Sequence, residues 1–123
     1  MIVVLGSEGR IGKSIVSHLT KIGHKVTGID ILKKNKQDQS KYQFIQADLS
    51  KKKNIENVIN KFVRDNLKID CVINCIYPKA NSWGKDFKKV KKKELDNHFS
   101  IHLTNLIIIT RSFLKKIEKQ KFG

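Results

Sequence analysis

A glycine-rich turn near the start of the chain is the segment best suited to chemistry. Gly6, Gly9 and Gly12 are spaced three residues apart and follow the apolar run from Met1 to Leu5. Glycines between a strand and a helix let main-chain N–H groups, and the positive end of the helix dipole, approach a phosphate. The spacing therefore predicts a diphosphate site that is formed by the backbone of this turn.

An acidic residue follows at the distance that such a site requires. Asp30 ends the next apolar run and lies eighteen residues after Gly12. A carboxylate there accepts hydrogen bonds from the hydroxyls of an adenosine ribose and repels a 2′-phosphate. The pattern predicts NAD as the cofactor rather than NADP, a preference that the neighbouring Lys33 and Lys34 weaken. The residues of the turn expected at the cofactor are Gly6, Ser7, Gly9, Arg10, Ile11 and Gly12.

The same turn also comes close to a second phosphate motif. Residues 7–14 match G-x-x-x-x-G-K-[ST] except at the first glycine, where Ser7 stands. An NTPase of that kind also needs an apolar strand that ends in Asp to hold Mg²⁺, whereas the strand expected at 69–74 ends in Asn74. A phosphate-loop nucleotide binder is therefore kept as an alternative behind the dinucleotide interpretation.

Strands and helices alternate along the chain, which positions these residues. Apolar runs predict strands at 1–5, 25–30, 42–46 and 69–74, and helical spacing predicts helices at 10–22, about 51–66 and about 94–119. Residues 31–41 and 75–93 are expected to be loops. Strands that are apolar throughout and alternate with helices indicate a parallel sheet in an α/β fold, with helices on both faces.

The spacing also predicts which residues face the core and which residues cap the helices. Ser50 is expected to cap the second helix, and Gly23 to end the first. The predicted inner faces comprise, helix by helix, Ile11, Ile15, Leu19 and Ile22; Ile55, Ile59 and Phe62; and Leu95, Phe99, Leu103, Leu106, Thr110, Phe113 and Ile117.

The net charge of +15 has two interpretations. It is typical of proteins that bind nucleic acid or an anionic membrane. However, Arg10, Arg64 and Arg111 are the only arginines among 26 basic residues, and Lys, Ile and Asn all have A/T-rich codons. Arginine is the preferred reader of bases and phosphates. We therefore attribute the charge to codon bias and expect neither a specific nucleic-acid partner nor a membrane partner.

The cysteines and the apolar segments bear on the compartment. Cys71 and Cys75 lie four residues apart in an expected strand, roughly 13 Å by strand rise, which is beyond the reach of a disulfide. The opening apolar run is too short for a signal peptide or a membrane span, and no Cys/His spacing indicates a metal. These features predict a cytoplasmic protein without a metal site.

The motifs together resemble the short-chain dehydrogenase/reductase family over the whole of residues 1–123. LGSEGRIG is similar to the family's glycine loop, Asp48 and Leu49 resemble the pair that contacts the adenine, and Asn74 matches the first Asn of the N-N-A-G segment. The resemblance implies a Rossmann-like sheet with strand order 3-2-1-4 and places Asn74 and Ile76 at the inner ribose. NCIYPKANSWGK (74–85) and IHLTNLIIITRSFL (101–114) resemble the branch of flagellin or polysaccharide modification dehydrogenases.

Several positions depart from the family pattern. N-N-A-G is replaced by N-C-I-Y at 74–77, and His102 stands at the family's helix Asn, where a structural role is favoured over a catalytic one. Chemistry in the family requires a Ser and a Tyr-x-x-x-Lys, but Tyr42 and Tyr77 are followed four residues later by Gln46 and Asn81. No residue can therefore be assigned as the proton donor.

Two hypotheses of function follow. In the first, the chain is the NAD(P)-binding domain of an oxidoreductase for an alcohol or carbonyl substrate, a sugar among the candidates, and is incomplete at its C-terminus. In the second, it is a non-catalytic dinucleotide-binding module. In both, the last helix keeps an apolar face that the family uses against a partner subunit, so a homo-oligomer is expected.

Overall fold

The computed structural model describes residues 1–33, 40–77 and 84–120. Within these ranges, four strands form one parallel sheet in the order β3-β2-β1-β4, which confirms the predicted α/β fold and strand order. The strands are β1 (Ile2–Leu5), β2 (Val26–Asp30), β3 (Tyr42–Gln46) and β4 (Cys71–Asn74). The helices are α1 (Arg10–Lys21), α2 (Lys52–Arg64), α3 (Lys92–Phe99) and α4 (Asn105–Glu118).

Helices cover both faces of the sheet. Successive residues of β1 point to opposite sides, so Val3 and Leu5 enter one apolar layer and Val4 enters the other. The first layer packs the sheet against α2 and α4 through Ile55, Val58, Phe62, Ile109 and Phe113. The second packs it against α1 through Val16, together with Val26 and Tyr42. The central strands β1 and β2 are buried on both sides, which explains why β1 is apolar throughout.

The register of the sheet brings the predicted site residues to one edge. Leu5 pairs with Ile29 on one side and with Asn74 on the other, and Asp30 pairs with Gln46. Since all the strands run the same way, their carboxyl ends meet there. The glycine turn leaves the central strand β1 at this edge, where open α/β sheets bind their ligands.

The predicted inner face of α1 is correct only in its middle. Ile15 and Leu19 pack against the second layer, but Ile22 is exposed and Ile11 is 69% exposed. Gly12 and Val16 are the buried residues instead. Glycine has no apolar side chain, so the pattern of apolar residues does not indicate that Gly12 is buried against the turn. The predicted end is confirmed, because Gly23 has a φ of +101° and its N–H donates to the carbonyl of Thr20.

The cap predicted at Ser50 is wrong. The helix begins one residue later, after Lys51, and no side chain caps it. Ser50 instead donates its hydroxyl to Asp48 Oδ1 at 2.6 Å. Both the hydroxyl and the N–H of Ser50 are bonded to Asp48, so the serine belongs to the turn before the helix and not to the helix cap.

The last predicted helix contains a wider turn. α3 and α4 are joined by a π-helical segment, Ser100–Thr104, in which the N–H of Asn105 donates to the carbonyl of Ser100. One extra residue in a turn shifts the residues before it onto another face. The predicted inner positions Leu95, Phe99 and Leu103 are therefore exposed. Thr110 is exposed as well, and Ile109 is buried in its place.

Parts of two predicted loops lie outside the described residues. These are residues 34–39, which include Lys34, and residues 78–83, which include Asn81 and much of the segment 74–85. None of the helices in the described parts of the chain is long and apolar enough to cross a membrane.

Candidate functional site

The glycine turn presents main-chain donors at the edge of the sheet. The N–H of Gly6 donates to the carbonyl of Ile29 at 2.8 Å, which ties the turn to β2. α1 then starts after Gly9 without a side-chain cap among the described residues. The first N–H groups of a helix have no partner within the helix. The start of α1 can therefore donate to an anion, as the sequence predicted for this turn.

Two glycines are required by the close approach of the chain to itself. Gly6 has a φ of +74°, and a Cβ there would lie 2.7 Å from the carbonyl oxygen of Cys75. A Cβ at Gly12 would lie 2.1 Å from the carbonyl oxygen of Gly6. Any side chain at these positions would displace the backbone, so the turn keeps its main chain bare and accessible to a diphosphate.

Asp30 lies directly beside this turn, as predicted. Its Oδ2 accepts the N–H of Glu8 at 2.8 Å, and its Oδ1 accepts the N–H of Leu32 at 2.9 Å. The residue is only 8% exposed, so these bonds fix its rotamer. Each carboxylate oxygen has a second lone pair and can also accept a ribose hydroxyl.

Asp48 and Leu49 follow β3, next to an open cleft. Asp48 Oδ1 accepts both the N–H and the hydroxyl of Ser50, and the hydroxyl bond is the main reason why the pKa of Asp48 is lowered from its usual value. Leu49 is buried in the first apolar layer. The cleft has a volume of about 410 Å³, and Ile31, Ala47 and Asp48 line its end of the sheet. It is the right size for a planar ring system of a ligand.

Asn74 and Ile76 lie on the other side of the glycine turn. Asn74 Oδ1 accepts the N–H of Ile76 at 3.2 Å, which bends the chain as it leaves β4. Asn74 itself is exposed at the ligand edge, and Ile76 is half-buried. The structure thus places both residues on one side of β1 at the ligand edge, with Asp30 on the opposite side of β1.

His102 occupies the π-helical turn and contacts two aromatic rings. Its ring centroid lies 4.2 Å from that of His98 and 4.7 Å from that of Tyr77. Its Nε2 is buried without a hydrogen-bond partner among the described residues. Burial, and then the neighbouring His98, lower the pKa of His102, so the ring is neutral at pH 7. His102 therefore lies in a distorted turn of the helix, and its ring packs against the rings of His98 and Tyr77.

A buried group that the sequence analysis did not identify lies under the glycine turn. The phenol oxygen of Tyr42 is 3.1 Å from Ser7 Oγ and 2.9 Å from Glu8 Oε1. These residues are more than thirty positions apart in the chain, so no local spacing connects them. The signal available in the sequence was the glutamate itself, which stands between Ser7 and Gly9.

The geometry also bears on acid–base chemistry and metals. Burial raises the pKa of the Tyr42 phenol, which makes it a poor proton donor to a substrate. Tyr77 is exposed but has no lysine four residues later. In the described ranges, no group of three or more His, Cys, Asp or Glu side chains is placed to hold a metal ion.

The whole of residues 1–123 matches the family model of the short chain dehydrogenases. This chain belongs to the short chain dehydrogenase family. The match confirms the family resemblance inferred from the glycine loop, Asp30, Asp48 and Asn74. It also favours a dinucleotide site over the phosphate-loop alternative, because the glycine turn is the family's own.

Individual relatives are more distant. The chain is 26% identical over 133 residues to the post-translational flagellin modification protein A of Campylobacter coli, and covers 52% of that protein. It is 30% identical over 130 residues to an uncharacterized oxidoreductase of Schizosaccharomyces pombe, and covers 46% of it. Each alignment includes all of this chain, which thus spans about half the length of these curated relatives. The first relative lies in the branch expected from the sequence.

The fold is shared with solved structures. A short chain dehydrogenase from Leptospira borgpetersenii, crystallised with bound NAD⁺, superposes on this chain with a TM-score of 0.83. The alignment covers 97% of this chain and 46% of that chain at 18% identity. At this level of identity the similarity establishes the fold alone.

Proposed function

We propose that this chain is the NAD(P)-binding part of an oxidoreductase that acts on an alcohol or a carbonyl group, with a sugar as one candidate substrate. The observation that supports this most directly is the contact between Asp30 and the glycine turn, in which a buried carboxylate oxygen lies 2.8 Å from the N–H of Glu8. A diphosphate on the turn would place the adjoining ribose next to this carboxylate.

Different residues of the site contact different parts of the cofactor. The main chain from Gly6 to Gly12, including Ser7, Arg10 and Ile11, holds the diphosphate, and Asp30 accepts the adenosine ribose hydroxyls. Asp48 and Leu49 flank the adenine in the cleft beside β3, and Asn74 with Ile76 contacts the inner ribose. When bound, the nicotinamide supplies or accepts the hydride, and the chain holds it in position and excludes water from one side.

The preferred cofactor is NAD. The Asp30 carboxylate lies where an additional phosphate on the ribose would have to fit, so the two acidic groups would repel each other. Lys33 is the nearby cation that reduces this repulsion. The alternative preference for NADP is distinguished by the binding experiment described below.

Catalysis needs residues that these 123 positions do not contain as a motif. The family's Ser and Tyr-x-x-x-Lys motif are absent from the sequence, and the phenol of Tyr42 is hydrogen-bonded to Glu8 of the turn. We therefore expect this chain to bind cofactor without turnover. A coding sequence that continues past Gly123 into a Ser and a Tyr-x-x-x-Lys supports the oxidoreductase. A natural stop at that point supports the non-catalytic dinucleotide-binding module.

The last helix provides the surface for a second copy. Leu95 and Phe99 of α3, Leu103 of the π-helical segment and Ile107 of α4 are all exposed apolar side chains, and together they are called the apolar stripe. Stripes of this kind are buried in helix–helix interfaces. A homo-oligomer formed through this stripe is therefore part of the proposal. A cytoplasmic location is also part of it, since Cys71 and Cys75 are free thiols.

The proposal is tested by calorimetric titration of the chain with NADH, NADPH and ATP. NADH should bind more tightly than NADPH, and ATP should bind most weakly. Asp30→Ala should weaken NADH binding roughly tenfold, since a charge-assisted hydrogen bond to ribose is lost. Glu56→Ala, which removes an exposed carboxylate on α2, is the matched control and should leave binding unchanged. Equal binding of NADH and ATP, or an Asp30→Ala variant with wild-type affinity, would overturn the proposal.

A further inference from the structure

A second buried carboxylate lies within the glycine turn. Glu8 is 7% exposed, and the adjacent Ser7 is 1% exposed. Carboxylates are rarely buried unless they are hydrogen-bonded, and each costs several kcal/mol to desolvate. The proposed diphosphate site uses only the main chain of Glu8. Its side chain therefore has a role that the binding of the diphosphate does not explain.

The phenol of Tyr42 fixes the position of the Glu8 carboxylate. A phenol has a single proton, and an ionised carboxylate can only accept, so Tyr42 donates to Glu8 Oε1 at 2.9 Å. The Ser7 hydroxyl then donates to the phenol oxygen, across a distance of 3.1 Å. This orders one hydrogen-bond chain, from Ser7 to Tyr42 to Glu8. The carboxylate at its end is held in a single orientation.

The strand beneath leaves room for this arrangement. A Cβ on Gly28 of β2 would lie 2.2 Å from the Tyr42 phenol oxygen and 2.5 Å from Ser7 Oγ. β2 therefore has no side chain at the point where the Tyr42 side chain of β3 crosses it to contact the turn. The Glu8 side chain is thus positioned from three segments: the turn, β2 and β3.

Glu8 also lies next to Asp30. Its own N–H donates to Asp30 Oδ2 at 2.8 Å, so bond lengths alone keep the two carboxylates within about 10 Å of each other. Burial raises the pKa of Tyr42 most, and both carboxylates raise it further, so both negative charges act on the same buried region. The ribose side of the turn thus has two fixed negative charges.

We propose that Glu8 is a second determinant of cofactor selectivity, which acts with Asp30 to reject a cofactor that carries a phosphate on the adenosine 2′-oxygen. The inference rests on the proposed function, because it concerns the same dinucleotide site. Asp30 discriminates by contact with the ribose hydroxyls. Glu8 discriminates by charge alone, from a position that its bond to Tyr42 keeps constant.

The size of the effect follows from Coulomb's law. Between a carboxylate and a phosphate several Å apart, at the effective dielectric constant of a protein surface, the repulsion is large enough to change an affinity roughly tenfold. Removal of the Glu8 charge should therefore improve NADPH affinity relative to NADH by roughly tenfold. NADH has no 2′-phosphate, and its own affinity should change much less.

The experiment measures Kd for NADH and for NADPH on the wild-type chain and four variants. Glu8→Gln keeps an oxygen that can accept from Tyr42 but removes the charge, and should shift the NADPH-to-NADH ratio roughly tenfold towards NADPH. Tyr42→Phe keeps the charge and should leave the ratio within about twofold, even if both affinities fall. Asp30→Asn should shift the ratio, and the exposed Glu56→Gln should not.

Each result decides the inference. A Glu8→Gln ratio equal to that of wild type, with a shifted ratio in Asp30→Asn, overturns the role of Glu8 and leaves the proposed function intact. Equal gains for both cofactors in Glu8→Gln also overturn it, because general electrostatics would then be the cause. Wild-type protein that binds neither cofactor overturns the proposed function as well. Should Glu8→Gln not fold, the double variant Glu8→Met/Tyr42→Phe removes both partners together and is expected to show the same shift.

Discussion

The side-chain amide of Gln120 pairs with both polar main-chain groups of Ile69. The N–H of Ile69 donates to Gln120 Oε1 at 2.9 Å, and Gln120 Nε2 donates to the Ile69 carbonyl, also at 2.9 Å. The side chain of Gln120 thus makes the two hydrogen bonds that a residue of a neighbouring strand would make just before β4. It fastens the turn after α4 to the amino end of the sheet, opposite the ligand edge.

This pairing should be measurable in the free energy of unfolding. Gln120→Ala removes two hydrogen bonds at a part-buried position and should lower the free energy of unfolding by about 1 to 3 kcal/mol. Urea denaturation checks this value. Lys119→Ala, at the exposed neighbouring residue, should have an effect below about 0.5 kcal/mol. Equal stabilities of the two variants would show that the paired amide contributes nothing.

The crowding of Gly12 gives a second test, on folding and on binding. Gly12→Ala would place a methyl group 2.1 Å from the carbonyl oxygen of Gly6, and should destabilise the chain by on the order of 3 kcal/mol and abolish NADH binding. Gly84→Ala is the matched control. Gly84 has a φ of +79°, but no atom of the described residues lies within 4 Å of a Cβ there, so only backbone strain of about 1 kcal/mol is expected. Thermal melting and NADH titration of both variants measure the difference.

The buried ring of His102 predicts a pH dependence of stability. Its pKa in the folded state is lowered, so it resists protonation there but accepts a proton when the chain unfolds. Its contribution to stability is therefore fully present above its usual pKa of about 6.5 and is lost as the pH falls from that value to the lower folded-state pKa. His102→Asn should lose less stability than wild type between pH 7.5 and 5.5, as measured by urea midpoints. His24→Asn, at an exposed histidine, should behave as wild type, and a His102→Asn variant with the wild-type pH profile would contradict the assignment.

The exposed stripe on α3 and α4 predicts self-association. Leu103→Lys puts a charge in the middle of the stripe and should shift the chain towards monomer by at least tenfold in the dimer dissociation constant. Sedimentation at several concentrations measures this shift. Thr104→Lys adds the same charge at an exposed neighbouring residue and should change little. A wild-type chain that is monomeric at all concentrations would contradict the proposed homo-oligomer.

Much of the fold could be predicted from the sequence because its signals are local. Most strands are short apolar runs, Gly23 ends a helix by its backbone conformation, and the eighteen-residue spacing from Gly12 to Asp30 corresponds to one helix and the strand after it. These features depend on neighbouring residues. The position of Asp30 beside the turn followed from this spacing, whereas the strand order followed from the family resemblance.

The remaining features depend on contacts across the chain. Tyr42 is hydrogen-bonded to Glu8, which is more than thirty residues away in the chain. Ser50 donates its hydroxyl to Asp48 instead of capping the helix. The π-helical turn at His102 changed the face of the helix, although the apolar spacing there is regular. Where a helix is apolar on all sides, as at 106–109, the sequence does not indicate which side faces the core.

The close fit of Gly6 against the main chain of Cys75 links two parts of the ligand edge mechanically. Because Gly6 lies so close to the main chain of Cys75, we expect the turn and the segment that leaves β4 to move together. The strain of a displaced β4 would therefore reach the diphosphate donors directly. Any strand that pairs with the outer side of β4 would in this way set the shape of a site that it does not touch.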